Sequence, residues 1–196
     1  MAAALLKAWN APAIVSATTV DPNGSVSIEN GRVSGLGRSG DTLEWRSIEA
    51  ALPFPLDMKD SLTALAVGSS DFVQTLDQQT VTVRGLDASR RYALAIDGGA
   101  PVVAATGAEW AAGVNIATLE TPMQMQAREV MSLIRAHTDV HNNRWRALQV
   151  PLANRKEGIK ERDRAFKAID DYERSLYEAA RKASKPKEHR FTLIPV

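Results

Sequence analysis

Cysteine is absent from this 196-residue chain, so no disulfide, thiolate nucleophile or thiolate-bound metal can operate in it. An excess of one charge is missing as well: 24 Lys and Arg stand against 23 Asp and Glu, a formal net charge of +1. So even a balance carries no general attraction for polyanions, and nucleic acid is not an expected partner. No apolar run approaches the ~20 residues that a membrane-spanning helix needs. Aromatic residues are sparse at 6%, and there are only three histidines, which leaves few side chains for general-base or metal-ligand work. What is present is an ordinary globular mixture, 44% hydrophobic and 24% charged. A chain of this length and composition predicts a real core in one large or two small domains.

The opening stretch "MAAALLKAWNAP" lacks the basic start and the length of a secretory signal. It reads as a buried amphipathic helix within residues 1–12, stopped where Pro12 cannot continue it. Residues 13–106 read as β-rich. "AIVSATTVD" closes at the turn "DPNG", and "SVSIENGRVSGL" carries Asn30-Gly31, a strong short-range hairpin signal. "DTLEWRSIEA" alternates Leu43 and Trp45 against Glu44 and Arg46, which dries one face, and Pro53 and Pro55 then interrupt the pattern. Residues 60–76 fit helix or strand equally. "TVTVRGLDASRRYALAIDGG" predicts a second hairpin, with Val81 and Val83 facing the same way as Tyr92, Leu94 and Ile96. Its Tyr92 resembles a tyrosine corner, in which the hydroxyl ties back to nearby backbone.

"GAEWAAGVNIATLETPMQMQA", residues 107–127, combines a short helical run, a glycine turn, an apolar run from Val114 to Leu119, and a helix start. Thr121 suits an N-cap and Pro122 the first helical position. Apolar residues then fall at 123, 127, 130, 131 and 134, and the same face continues through His137, His141, Trp145 and Leu148 to Pro151. A second, charge-rich helix over about 156–183 predicts an antiparallel helical hairpin within 107–196, ending in an extended tail whose Phe191 and Leu193 dock on a sheet edge. The predicted class is therefore α+β: a leading helix, a small β-sandwich-like region, and a long helical hairpin.

Chemistry is thinly represented. His137 and His141 stand four apart on one helix face, within reach of one metal ion, but no third ligand is set by spacing and Asp139 points elsewhere. Two histidines satisfied by hydrogen bonds are the more ordinary outcome. Ser39 in "GRSGD" has no histidine nearby in sequence and no Gly-x-Ser-x-Gly context. "GLGRSG" lacks the Gly-Lys-Ser/Thr ending of a phosphate loop. The mixed-sign run "NRKEGIKERDR" reads as a solvated face, and Arg144 and Arg146 beside Trp145 as rim residues. No catalytic residue and no cofactor site can be assigned from these residues.

One stretch carries a family likeness. "YALAIDG", "AEWAAGVNIATLETPMQMQA" and "RWRALQVPL" together resemble the C-terminal portion of bacterial SGNH (GDSL-type) hydrolases, and "MAAALLKAWNAPAIVS" resembles the helix that closes their catalytic domain. The resemblance implies a serine ester or acyl hydrolase that needs no metal or organic cofactor and is often exported. It also implies that a catalytic α/β domain is the partner of this region, in the same chain or missing. A second copy of this chain is the other partner its apolar faces could take. The Gly-Asp-Ser, oxyanion-hole and Asp-x-x-His blocks have no counterpart here, and Asn115 in "GVN" lacks the context for an oxyanion role. Three readings follow: an accessory region that is inactive alone, a stand-alone β-sandwich or helical binding module, and a small metal enzyme using His137 and His141.

Overall fold

The computed structural model describes residues 2–21 and 24–196. The Pro22 and Asn23 of the "DPNG" turn fall outside the described residues. The chain forms two compact units. One comprises the residues up to Ala127 together with Pro186–Val196, and the other is Arg128–Lys185.

The first unit begins with helix α1 (Ala2–Ala8) and strands β1 (Ile14–Asp21), β2 (Ser25–Glu29), β3 (Gly31–Ser39) and β4 (Thr42–Glu49). Two short helices, α2 (Ser61–Gly68) and α3 (Phe72–Leu76), resolve the ambiguous 60–76 stretch as helical. Asp60 caps the first of them by accepting from the Thr63 N–H at 2.9 Å. Strands β5 (Gln78–Val83), β6 (Arg91–Ile96) and β7 (Val103–Thr106), helix α4 (Gly107–Ala112) and strand β8 (Val114–Asn115) follow. Helix α5 (Pro122–Asn143), a π-helical turn (Arg144–Gln149), α6 (Val150–Leu152) and α7 (Ile159–Ala183) precede the last strand, β9 (Glu188–Pro195). This is the α+β class the sequence predicts.

Two sheets share one core. Their orders are β2-β1-β5-β8 and β3-β4-β9-β6-β7, and β1 and β5 run parallel. Val20, Val81 and Val83 from the first sheet meet Leu43, Trp45, Leu94, Phe191 and Leu193 from the second. Strict alternation along β4 and β5 puts these residues on the dry face and polar ones on the other. Trp45 stacks on Phe191 with ring centroids 5.4 Å apart. Trp110 of α4 is fully buried and donates its Nε1–H to the Tyr92 carbonyl at 3.0 Å.

Both predicted hairpins are corrected. β2 pairs with β1, whereas β3 pairs with β4 in the other sheet, so Asn30-Gly31 is a corner that carries the chain between sheets. Asn30 takes a left-handed φ of 59°, and its side chain donates to the Val15 carbonyl at 2.7 Å. A Cβ on Gly31 would lie 2.8 Å from the Ile48 carbonyl oxygen, closer than side chains tolerate. Likewise β5 and β6 belong to different sheets, and Val81 faces Leu94 across the core rather than along a ladder. The tyrosine corner is present: the Asp87 N–H donates to the Tyr92 hydroxyl at 3.3 Å.

The expected edge-docked tail is instead an inner strand, with β9 hydrogen-bonded to β4 on one side and β6 on the other. Nor is α1 a buried helix, because Leu5 and Trp9 are 49% and 69% exposed. The apolar run from Val114 is largely consumed by the unit's own core, with Ile116 and Ala117 fully buried. Pro151 does not end the first long helix, which continues to Leu152.

In the second unit the pairs Tyr177 with His137, Glu173 with His141, Asp170 with Arg144, and Arg162 with the Leu152 carbonyl run in opposite chain directions. That is the predicted antiparallel helical pair.

Candidate functional site

The helical pair carries both histidines singled out by spacing. Helix α5 starts as predicted, the Thr121 hydroxyl accepting from the Gln124 N–H at 3.1 Å. Four-residue spacing then sets His137 and His141 on one face with their rings parallel to within 8° and centroids 6.5 Å apart. Glu173, from the middle of α7, reaches between them. Its Oε1 lies 2.9 Å from His141 Nδ1 and 3.3 Å from His137 Nε2. The carboxylate that the sequence spacing could not supply thus comes from the facing helix, hydrogen-bonded to His141 and close to His137. No group of three His, Asp or Glu among the described residues is arranged to hold a metal ion.

One turn further on, the helix widens. The Val150 N–H bonds to the Trp145 carbonyl, five residues back rather than four. Pro151 follows at once, and a proline inside a helix both lacks the N–H and crowds the carbonyl four residues behind it. The wide turn gives that carbonyl room and re-aims the side chains beside it. Arg144 is held firmly there: Nε and Nη2 donate to the two Asp170 oxygens at 2.7 and 3.3 Å, and Nη1 donates to Gln149. The guanidinium lies 4.4 Å from the centre of the Phe166 ring. Arg144, Gln149, Asp170, Glu173 and the two histidines, with Trp145, Arg174 and Tyr177, line an open cleft of about 470 Å³. The arrangement holds its polar groups in fixed positions beside exposed aromatic faces, which suits binding.

A second polar cluster lies inside the first unit, at one end of the sandwich. Glu49 bridges the sheets, accepting from Gln79 Nε2 at 2.7 Å and from the Ser16 hydroxyl at 3.2 Å. Burial pushes its carboxyl above the usual range, against the opposing effect of these two donors and of His189. His189 Nδ1 lies 2.7 Å from Asp97 Oδ2. Desolvation raises the Asp97 carboxyl, but the Arg190 N–H and the His189 ring outweigh it, and the net direction is down. His189 and Ser47 are cross-strand partners. Yet neither His189 Nε2 nor Ser47 Oγ has a hydrogen-bond partner among the described residues, and both residues are buried. An acid-histidine pair beside a serine is therefore present without a nucleophile–base bond or access for substrate. His189 was legible as an inward-facing residue, since it alternates with Phe191 and Leu193.

The remaining candidates are structural. Ser39 ends β3 opposite Thr42, and no histidine lines the small cleft formed nearby by Arg38, Asp41, Asp87 and Arg90. Asn115 is a backbone staple: its Oδ1 accepts from the Gln79 and Ala117 N–H groups at 3.0 and 3.1 Å, and its Nδ2 donates to the Asp77 carbonyl at 3.2 Å. Its amide is thus spent on holding three backbone segments together. Arg146 lies 5.7 Å from the Trp145 ring centre, a cation–π contact at the rim.

No family model matches the chain, and no curated protein does. Among solved structures, a gut microbial diltiazem-metabolizing enzyme matches 98% of this chain at 20% identity, with a TM-score of 0.78. The chain spans 52% of that protein, about half its length. At this identity the likeness concerns the fold, and the fold is one used within an enzyme.

Proposed function

We propose that this chain is a C-terminal accessory region of an SGNH (GDSL-type) ester hydrolase, one that completes and shields a catalytic α/β domain and has no turnover by itself. The observation that carries this reading is an uncovered apolar face on the first unit. Ala3, Phe54, Leu56, Ala66, Val67 and Phe72 line an apolar hollow of about 350 Å³ formed by α1, α2 and α3. On the same helices Leu5, Leu62 and Leu65 stand exposed, with Trp9 just beyond α1. Helix α2, "SLTALAVG", is apolar almost all round yet buries none of its residues. A helix of that composition is ordinarily enclosed by protein, and a continuous exposed apolar patch marks a contact surface. The occupant we infer is the catalytic SGNH domain, because the sequence of α1 resembles the helix that closes it.

Translating the DNA upstream of Met1 tests the assignment, the expected result being an in-frame Gly-Asp-Ser block and an Asp-x-x-His block. The purified chain should hydrolyse p-nitrophenyl acetate no faster than a denatured control. Turnover by this chain would overturn the reading. A stand-alone binding module is the alternative, and it is favoured by the first unit's closed core, in which Trp45 and Trp110 are fully buried by the unit's own side chains.

A further inference from the structure

We infer that the cleft of the helical pair is a binding site for a neutral saccharide. The charges of its arginines and carboxylates cancel, Arg144 and Arg174 standing against Asp170 and Glu173. Each charge is also committed locally, Arg144 to Asp170, Glu173 to His137 and His141, and Arg174 to Asp171. A cleft with no net charge and paired ions gives little hold on phosphate or a carboxylate ligand, which would have to break those pairs.

What the lining offers instead is flat apolar surface beside directional hydrogen-bonding groups. Trp145 and Tyr177 are 48% and 53% exposed at the cleft, and aromatic rings of this kind present an apolar face with a polar edge. A pyranose ring has the complementary form, with C–H groups on its faces and hydroxyls around its rim. The polar groups are pre-set for those hydroxyls. Arg144 has five N–H donors, of which Asp170 and Gln149 engage three. The Asp170 and Glu173 carboxylates each have more lone pairs than their present partners use. Arg144 is clamped by Asp170 and Phe166, so little ordering accompanies binding. The π-helical turn brings Arg144, Trp145 and Gln149 to this one cleft. The site lies wholly within the second unit and stands whether or not a catalytic domain docks on the first.

Isothermal titration and tryptophan fluorescence of the full chain with cellotetraose, maltotetraose and chitotriose, alongside inorganic phosphate, test the inference. At least one saccharide should bind with a dissociation constant of about 1 mM or tighter, and phosphate should not. Trp145→Ala and Tyr177→Ala should each weaken that saccharide at least tenfold, whereas Trp145→Phe should keep most of the affinity. Trp9→Ala, on the other unit, should change nothing. Both cleft aromatics are half exposed, so these variants should retain the wild-type circular dichroism. The inference is overturned if no saccharide in the set binds, if phosphate binds in their place, or if binding survives both alanine substitutions.

Discussion

Asp77 shows how a single buried carboxyl makes this fold sensitive to pH. It is fully buried, its Oδ1 accepts from the Phe54 N–H at 2.9 Å, and its Oδ2 has no hydrogen-bond partner among the described residues. Desolvation raises its pKa to about 6, against the opposing Phe54 bond. A carboxyl whose folded pKa is raised holds its proton more tightly in the native state. Stability is therefore lost as pH rises from the unfolded value through about 6, and the loss is complete above that. Asp77→Asn keeps the acceptor and removes the ionisation, so it should stabilise the protein more at pH 7.5 than at pH 4.5, by about 2 kcal/mol. Urea midpoints at the two pH values measure this, and an equal shift at both would count against a buried ionisable Asp77. Glu49 obeys the same sign, its carboxyl being raised by burial. Glu49→Gln should be tolerated at neutral pH, whereas Glu49→Ala leaves the Gln79 and Ser16 donors without their acceptor and should cost about 2 kcal/mol. Guanidinium unfolding of the two variants distinguishes these outcomes.

At the scale of elements, the last strand is the piece on which the second sheet depends. β9 lies between β4 and β6, and Phe191 and Leu193 are buried against Trp45 and Leu94. Phe191→Ala should cost about 3–5 kcal/mol, read from urea unfolding followed by Trp fluorescence. A loss below 1 kcal/mol would mean that β9 is the loosely docked tail its sequence position suggests. This element also marks the limit of what was legible. Alternation in β4, the Thr121 cap, the tyrosine corner and the helical pair all follow from local patterns, and the structure contains each of them. The two hairpins did not follow, because Asn30-Gly31 and the 84–90 loop carry turn chemistry that serves a hairpin or a sheet crossing equally well. What decides between them is which distant strand takes the free edge, and for β4 and β6 that strand is β9, more than 90 residues later in the chain. The candidate site was half legible for the same reason. Helical spacing joined His137 to His141, while Glu173 and Asp170 became part of it only through packing of the facing helix.

At the scale of the whole molecule, the balance between covered and uncovered apolar surface decides how the chain behaves in solution. The sandwich core is closed, whereas Leu5 of α1, Leu62 and Leu65 of α2, and the nearby Trp9 and Phe54 are left in water. At ~25 cal/mol per Å², covering a patch of several such side chains offsets much of the entropic cost of association. A second copy of the chain can supply that cover when a catalytic domain does not. In sedimentation velocity the weight-average mass of the isolated chain should therefore rise with concentration, and the double change Leu62→Ser with Leu65→Ser should return it to that of a monomer. Because both leucines are largely exposed, the same double variant should leave the urea midpoint within about 0.5 kcal/mol of the unmodified chain. Loss of association with stability retained is the signature of a contact surface. Loss of both would make α2 part of the folding core, and an unmodified chain that stays monomeric at every concentration would remove the main support for a docking face.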